Sequence, residues 1–145
     1  MDGNGRWAKT QGKPRQYGHQ IGSSKVYDVF KVCTSLGIKS ATFFAMSSEN
    51  MQRSIEETEF ISTLLKSSIE KHFSDLLLNK TKFKVIGDTT KLPDDVKEVI
   101  KKAQDATKDF TDLKLYIAYN YGGQWDILNA VKSLVDNDCS LTNEN

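Results

Sequence analysis

Cysteine is scarce in this sequence: two residues in 145, Cys33 and Cys139, far apart and without a CxxC pair. That spacing excludes a disulfide scaffold and a zinc knuckle, suits a reducing compartment, and reads as two free thiols. No apolar run approaches the roughly 20 residues that cross a bilayer, and the opening residues lack a signal-peptide pattern. The chain therefore reads as soluble. Net charge is missing too, since 20 Lys and Arg offset 19 Asp and Glu. A balance of +1 gives the whole protein no attraction to nucleic acid or to an acidic membrane, so any anion site must come from local clustering. There is no internal repeat. What is present, 38% hydrophobic and 27% charged residues, fits one globular domain over 1–145 with a real core. The bases do cluster at the start, where Arg6, Lys9, Lys13, Arg15, Lys25 and Lys31 face only Asp2 and Asp28.

Hydrophobic periodicity predicts alternating strands and helices. Ile21, Val26, Val29, Phe30, Cys33 and Leu36 repeat at helical spacing over 18–36, with Gly37 as a left-handed stop. SATFFAM (40–46) is a short continuous run, the pattern of a strand covered on both faces. Ser54 with Glu57 three residues on forms a capping box for a long helix whose apolar face runs from Phe60 to Leu77. KFKVIGD (82–88) and LKLYIAYN (113–120) read as two more strands, with a helix from about Pro93 to Lys108 between them. Beyond Gly122 and Gly123 a last helix is expected to turn Ile127, Leu128, Val131, Leu134 and Val135 inward, and 136–145 reads as frayed or as a linker. Alternation of this kind implies right-handed crossovers and an α/β fold with a central, mostly parallel sheet flanked by helices. Ligands in such sheets sit outside the carboxyl ends of the strands, where DGNG, SSEN and GDTT are the polar loops.

The opening MDGNGRWAK concentrates the chemistry. If Gly3, Asn4 and Gly5 lead into a short helix starting near Arg6, its first amides and its dipole converge on one anion site. Arg6, Arg15 and His19 then add charge-assisted hydrogen bonds of the kind a diphosphate needs. Asp2 fits beside phosphate only with a cation between them, and Mg²⁺ typically takes one or two carboxylates plus substrate oxygens. The plainer reading is an ordinary Gly-x-Gly turn, with His19 a polar residue at a helix start and Trp7 in the core. No GK[ST] follows, which excludes a Walker A loop, and the spacing is not the GxGxxG of a dinucleotide site.

MDGNGRWAK, then GKPRxxGHxxG (12–22), LGIKSATFFAMSSENMQRS (36–54), IGD (86–88) and NYGGQWDI (120–127) together resemble the cis-prenyltransferases, the undecaprenyl and dehydrodolichyl diphosphate synthases. The resemblance runs through nearly the whole sequence in order. It implies that fold, and repeated cis addition of isopentenyl diphosphate to an allylic starter such as farnesyl diphosphate, with Mg²⁺ required. On the matching positions, Asp2 would hold the metal and assist departure of the allylic diphosphate. Gly3, Asn4, Gly5 and Arg6 would cradle that group, Arg15 and His19 would complete the clamp, and Trp7 would lie near the start of the prenyl chain. Ser47, Ser48 and Glu49 match a Ser-[Ser/Thr]-Glu run, Asn50 the Asn implicated in proton removal, and Arg53 a substrate-binding base. Met51 stands where the family usually has an aromatic, and fills that substrate-contact position without being able to stack. Helices 18–36 and 55–79 are candidate walls of an apolar slot for the growing chain, although any one residue such as Leu65 or Phe73 is more simply core.

The resemblance also implies what lies outside the sequence. One part is the strand that delivers DGN; the others, an RTSGExRxSxF segment and a later Glu, carry the isopentenyl diphosphate site, a second metal ligand and much of a homodimer surface. A stretch without them is expected to keep the allylic site and lack the acceptor site. Implied too are a cytoplasmic location, at the endoplasmic reticulum face in a eukaryote, and peripheral membrane contact through the lipid product. Two alternatives stay open: a non-catalytic partner subunit, against which Asp2, Arg15 and His19 count, and a phosphate-binding α/β module.

Overall fold

The structure, a computed structural model, describes residues 2–137. Its elements run α1 (Asn4–Thr10), α2 (Arg15–Ser35), β1 (Ser40–Ser47), a short 3-10 helix (Ser48–Gln52), α3 (Ile55–Leu78), β2 (Thr81–Ile86), α4 (Asp94–Thr107), β3 (Leu113–Tyr121) and α5 (Gly123–Asp136). The strands form one parallel sheet in the order β1-β3-β2, with Phe43 opposite Ile117 and Val85 opposite the same residue from the other side. Strand β3 is thus central, and its run from Ile117 to Asn120 is buried on both faces.

Local signals set most boundaries. Gly37, at φ 65°, ends α2, and Ile38 N–H reaches back to Cys33 O at 3.0 Å. The Ser54 hydroxyl accepts the Glu57 amide at 3.3 Å, starting α3 as the capping pattern predicts. Pro93 precedes α4, whose first turn carries Asp94 and Asp95 against the positive end of the helix dipole. The core gathers Phe30 of α2, Ile61, Ile69 and Leu76 of α3, Val96 and Ile100 of α4, and the inner residues of β2 and β3. Each such side chain, taken out of water, contributes about 1.5–3 kcal/mol.

Three expectations are corrected. Helix α1 begins at Asn4, not near Arg6, because Gly3 at φ 80° turns the chain at once and Trp7 N–H already bonds Gly3 O. Strand β1 is not covered on both faces: it is an edge of the described sheet, and Phe44 is 49% exposed. Helix α5 forms as expected, yet none of its residues is buried, and Ile127 and Val135 are 67% and 73% exposed. Periodicity reports that a helix has an apolar face; it carries no information about what covers it. Asp136 is the last residue of α5, and 138–145 lie outside the described residues. Among the described residues no helix is long and apolar enough to cross a membrane.

Candidate functional site

Helix α1 lies across the start of α2 at unusually close range. A Cβ on Gly18 would overlap the Asn4 carbonyl, and one on Gly22 would overlap the Asn4 side-chain amide. The two glycines of GHxxG therefore seat Asn4 against α2 and bring Gly3, Gly5 and Arg6 beside Arg15 and His19. Opposite them, the end of β1 and the 3-10 helix supply Ser47, Asn50 and Arg53. Together these residues and Asp2 line a polar cleft of about 420 Å³ at the carboxyl end of β1, where parallel sheets place their ligands.

The organiser of this cleft is Glu57, which the sequence shows only as a capping residue. It is 9% exposed, and its carboxylate takes Arg53 Nη1 at 2.8 Å, His19 Nε2 at 3.0 Å and Arg15 Nε at 3.2 Å. Burial pushes its pKa up, but hydrogen bonds from His19 and Arg15 and the charges of Arg53 and Arg15 outweigh it, leaving the carboxyl below the usual glutamate value. One buried acid thus holds three cationic or donor groups from two sequence regions, the start of α2 and the turn before α3. Of its partners only Arg53, one helical turn away, is legible as an i,i+4 pair.

Asp2 sits at the rim with its side chain 94% exposed; it caps the Gly3 amide, and its other oxygen is 3.5 Å from Arg6 Nη2. The remaining predicted residues fall elsewhere. Trp7 faces outward, 44% exposed, and stacks on Tyr17 with centroids 6.0 Å apart. Met51 packs against the hydrophobic core. Ser48 and Glu49 abut Gly122 at the start of α5. Hydrogen bonds from Glu49's own amide and from Ser47 outweigh burial, Ser48 adds another, and its carboxyl is held below the ordinary range. Of the other quoted motifs, IGD and NYGG meet each other at the ends of β2 and β3: Asn120, at φ 47°, donates to Asp88 O at 3.3 Å and accepts the Asp88 amide.

The polar cleft continues into an apolar one. Asn4, His19, Phe44 and Ala45 line both, and behind them about 170 Å³ of space lies between α2, α3 and the sheet. Val26, Ile61, Leu64, Leu65, Phe43 and Ile117 are among its walls. Leu65 therefore faces the cavity, while Phe73 packs against the core under Lys102. Phe44, which bridges the two spaces, had no signal of its own inside the apolar run of β1.

An α/β sheet whose carboxyl edge joins a cationic cleft to an apolar slot defines a class of protein suited to an anionic headgroup on an apolar tail. Comparison with known proteins gives the family. A family profile described as "Putative undecaprenyl diphosphate synthase" matches residues 1–145, and the chain belongs to this cis-prenyltransferase family. It is 41% identical over 136 residues to a ditrans,polycis-undecaprenyl-diphosphate synthase of Vibrio cholerae, covering 94% of this chain and 54% of that one. An isoprenyl transferase of Staphylococcus saprophyticus is 42% identical over 136 residues, with the same coverage of 94% and 54%. The chain thus spans about half the length of the curated relatives it matches. Among solved structures, lavandulyl diphosphate synthase from Lavandula x intermedia, in complex with dimethylallyl diphosphate, superposes with a TM-score of 0.88 at 26% identity. That match covers 100% of this chain and 64% of the other.

Proposed function

We propose that this chain supplies the allylic-diphosphate site of a cis-prenyltransferase that condenses isopentenyl diphosphate with a starter such as farnesyl diphosphate into a long-chain polyprenyl diphosphate. The observation that carries the reading is the junction at Asn4 and His19, where a cleft lined by Arg6, Arg15 and Arg53 opens into an apolar slot. A prenyl diphosphate has that amphipathic form. Supporting it, the relatives are named as undecaprenyl diphosphate synthases and isoprenyl transferases.

Ionisation of an allylic diphosphate moves negative charge onto the leaving oxygens. Donors fixed beforehand around those oxygens stabilise the transition state more than the ground state. Arg15, His19 and Arg53 are fixed in this sense by Glu57, so they need no rearrangement as charge develops. Arg6 lines the same cleft from α1. Asn50, on the 3-10 helix, lines the same cleft and would be the amide that orients the proton leaving the condensing substrate.

Magnesium fits the donor chemistry. Asp2 is a solvent-facing carboxylate at the rim of the polar cleft, and since no group of three His, Cys, Asp or Glu gathers among the described residues, the ion's other ligands would be diphosphate oxygens. One carboxylate plus diphosphate oxygens is a usual magnesium environment. Asp2 would hold the ion, which when bound neutralises charge on the departing diphosphate. The homodimer, the isopentenyl site and contact with a membrane through the product belong to the same reading.

Calorimetric titration with farnesyl thiodiphosphate, a slow-ionising starter analogue, tests it in magnesium buffer. Saturable binding that drops at least tenfold in Arg15→Ala is expected, in line with loss of a charge-assisted contact. Absence of saturable binding to the wild-type chain overturns the reading.

A further inference from the structure

Two motifs, IGD (86–88) and NYGG (120–123), line neither the polar cleft nor the apolar slot. They meet each other where β2 and β3 end. The Asp88 amide donates to Asn120 O at 3.3 Å, and the Asn120 side-chain amide donates to Asp88 O at 3.3 Å and to Asp88 Oδ2 at 3.4 Å. The other carboxylate oxygen, Oδ1, accepts the Thr90 amide at 2.9 Å and the Thr90 hydroxyl at 2.6 Å, which keeps Oδ2 turned toward Asn120. Asn120 is 8% exposed and stands at φ 47°, a left-handed conformation that a non-glycine residue keeps where its surroundings hold it.

The register of the sheet reveals what this knot supports. Met46 of β1 pairs with Tyr119 and the next residue, Ser47, pairs with Tyr121, so Asn120 is an extra residue, a bulge in β3. A bulge bends its strand and re-aims the side chains beside it. Here the 3-10 helix rests on the residues just past the bend. Ser47, opposite Tyr121, leads straight into it, and Gly122 lies so close to it that a Cβ would overlap Ser48 Oγ. Asn50 stands in the middle of that short helix and lines the polar cleft. The anion-facing groups have a different support: Arg6 comes from α1, and Glu57 of α3 ties Arg15, His19 and Arg53.

We infer that Asp88 and Asn120 are positioning residues for the condensation step: by pinning the bulge of β3 they fix where the 3-10 helix starts, and so hold Asn50 against the polar cleft. The inference rests on the reading proposed above, in which Asn50 orients the departing proton. Loosening the knot moves Asn50 and leaves the grip on the diphosphate intact, because the two are anchored on different elements.

The test uses Asn120→Gly, which accepts φ 47° without strain and removes only the side-chain bonds. In hydrogen exchange of the chain, amides of 48–52 are expected to exchange about tenfold or more faster while those of α1 and α2 keep their protection. Affinity for farnesyl thiodiphosphate in magnesium buffer should stay within about twofold, as for sites that share no partner. Condensation of isopentenyl and farnesyl diphosphates should slow by about tenfold or more, since misplacing a reacting group by about 1 Å costs on the order of 100-fold. In an Asn50→Ala background the same substitution should add no more than about twofold, because the group it positions is gone. Should Asn120→Gly fail to fold, Asp88→Asn, which keeps an acceptor for Thr90 and turns a donor toward Asn120, is expected to change the same readouts in the same directions. Unchanged exchange across 48–52, or rate losses that multiply with that of Asn50→Ala, overturn the inference and leave the headgroup assignment standing. Failure of the wild type to bind the farnesyl analogue overturns both.

Discussion

The two halves of the cleft are built on opposite principles. At the mouth, charge is held in place by a buried acid: Glu57 gathers Arg15, His19 and Arg53 within 3.2 Å. In the slot behind, the walls are aliphatic and aromatic, and polar groups occur as pairs that satisfy each other across α2 and α3. The lining of the slot carries no Asp, Glu, Lys or Arg. The contrast teaches where each kind of substitution should register. On the proposed reading, changes at the mouth should alter the handling of diphosphate, and changes in the slot should alter helix pairing and the fit of the tail.

The largest effect is expected at the rim. On the reading proposed above, Asp2→Ala should lower magnesium-dependent condensation of isopentenyl and farnesyl diphosphates by about 100-fold or more, the scale of losing one group that acts on developing charge. With its side chain 94% exposed, the fold should not notice, and circular dichroism and melting temperature should match the wild type. Retained turnover would remove Asp2 from the chemistry and erase the distinction between head and tail drawn above.

Glu57 comes next, because it joins stability to the phosphate cleft. Glu57→Gln keeps the shape and removes the charge, leaving Arg15 and Arg53 to rehydrate. Both are part-exposed, so the expected loss is moderate, about 1–3 kcal/mol in urea unfolding. The pH dependence has a definite sign. A carboxyl whose folded pKa lies below its unfolded value of about 4.3 stabilises the protein fully above that pH, and the contribution is lost as pH falls through the folded value. The stability gap between wild type and variant should therefore be widest near neutrality and narrow below about pH 4. A gap that widens on acidification contradicts the assignment.

How much of this was legible in the sequence follows from the range of the interactions involved. Helix α3 and helix α5 carry similar apolar stripes, and both were readable as helices because periodicity is local. Yet α3 buries Ile61, Ile69 and Leu76 whereas α5 buries nothing among the described residues, since cover is supplied by distant chain. The same limit governs the site. Gly3 at positive φ and the basic cluster around Arg6 and Arg15 were local signals and marked the cleft. Glu57's ties to Arg15 and His19 span 42 and 38 residues and left no periodic trace. The family resemblance placed Trp7 and Met51 near substrate, and the fold turns one outward onto Tyr17 and the other into the core.

The smallest expected effect lies in the slot, at the Ser23–Ser68 pair. The two hydroxyls are part-buried and 2.8 Å apart, each serving as the other's partner between α2 and α3. Ser23→Ala strips the bond and leaves Ser68 facing an apolar wall, which should cost about 0.5–1.5 kcal/mol. Ser68→Ala should cost the same for the mirror-image reason. The double variant removes both polar groups at once and leaves two methyl groups in an apolar setting, so it should sit closer to the wild type than the two single losses added together. Such non-additivity in a double-mutant cycle is what separates a tie within an apolar slot from two independent surface serines. Simple addition would mean the hydroxyls are each paired with water, and the slot would then be wet where its walls argue that it is dry.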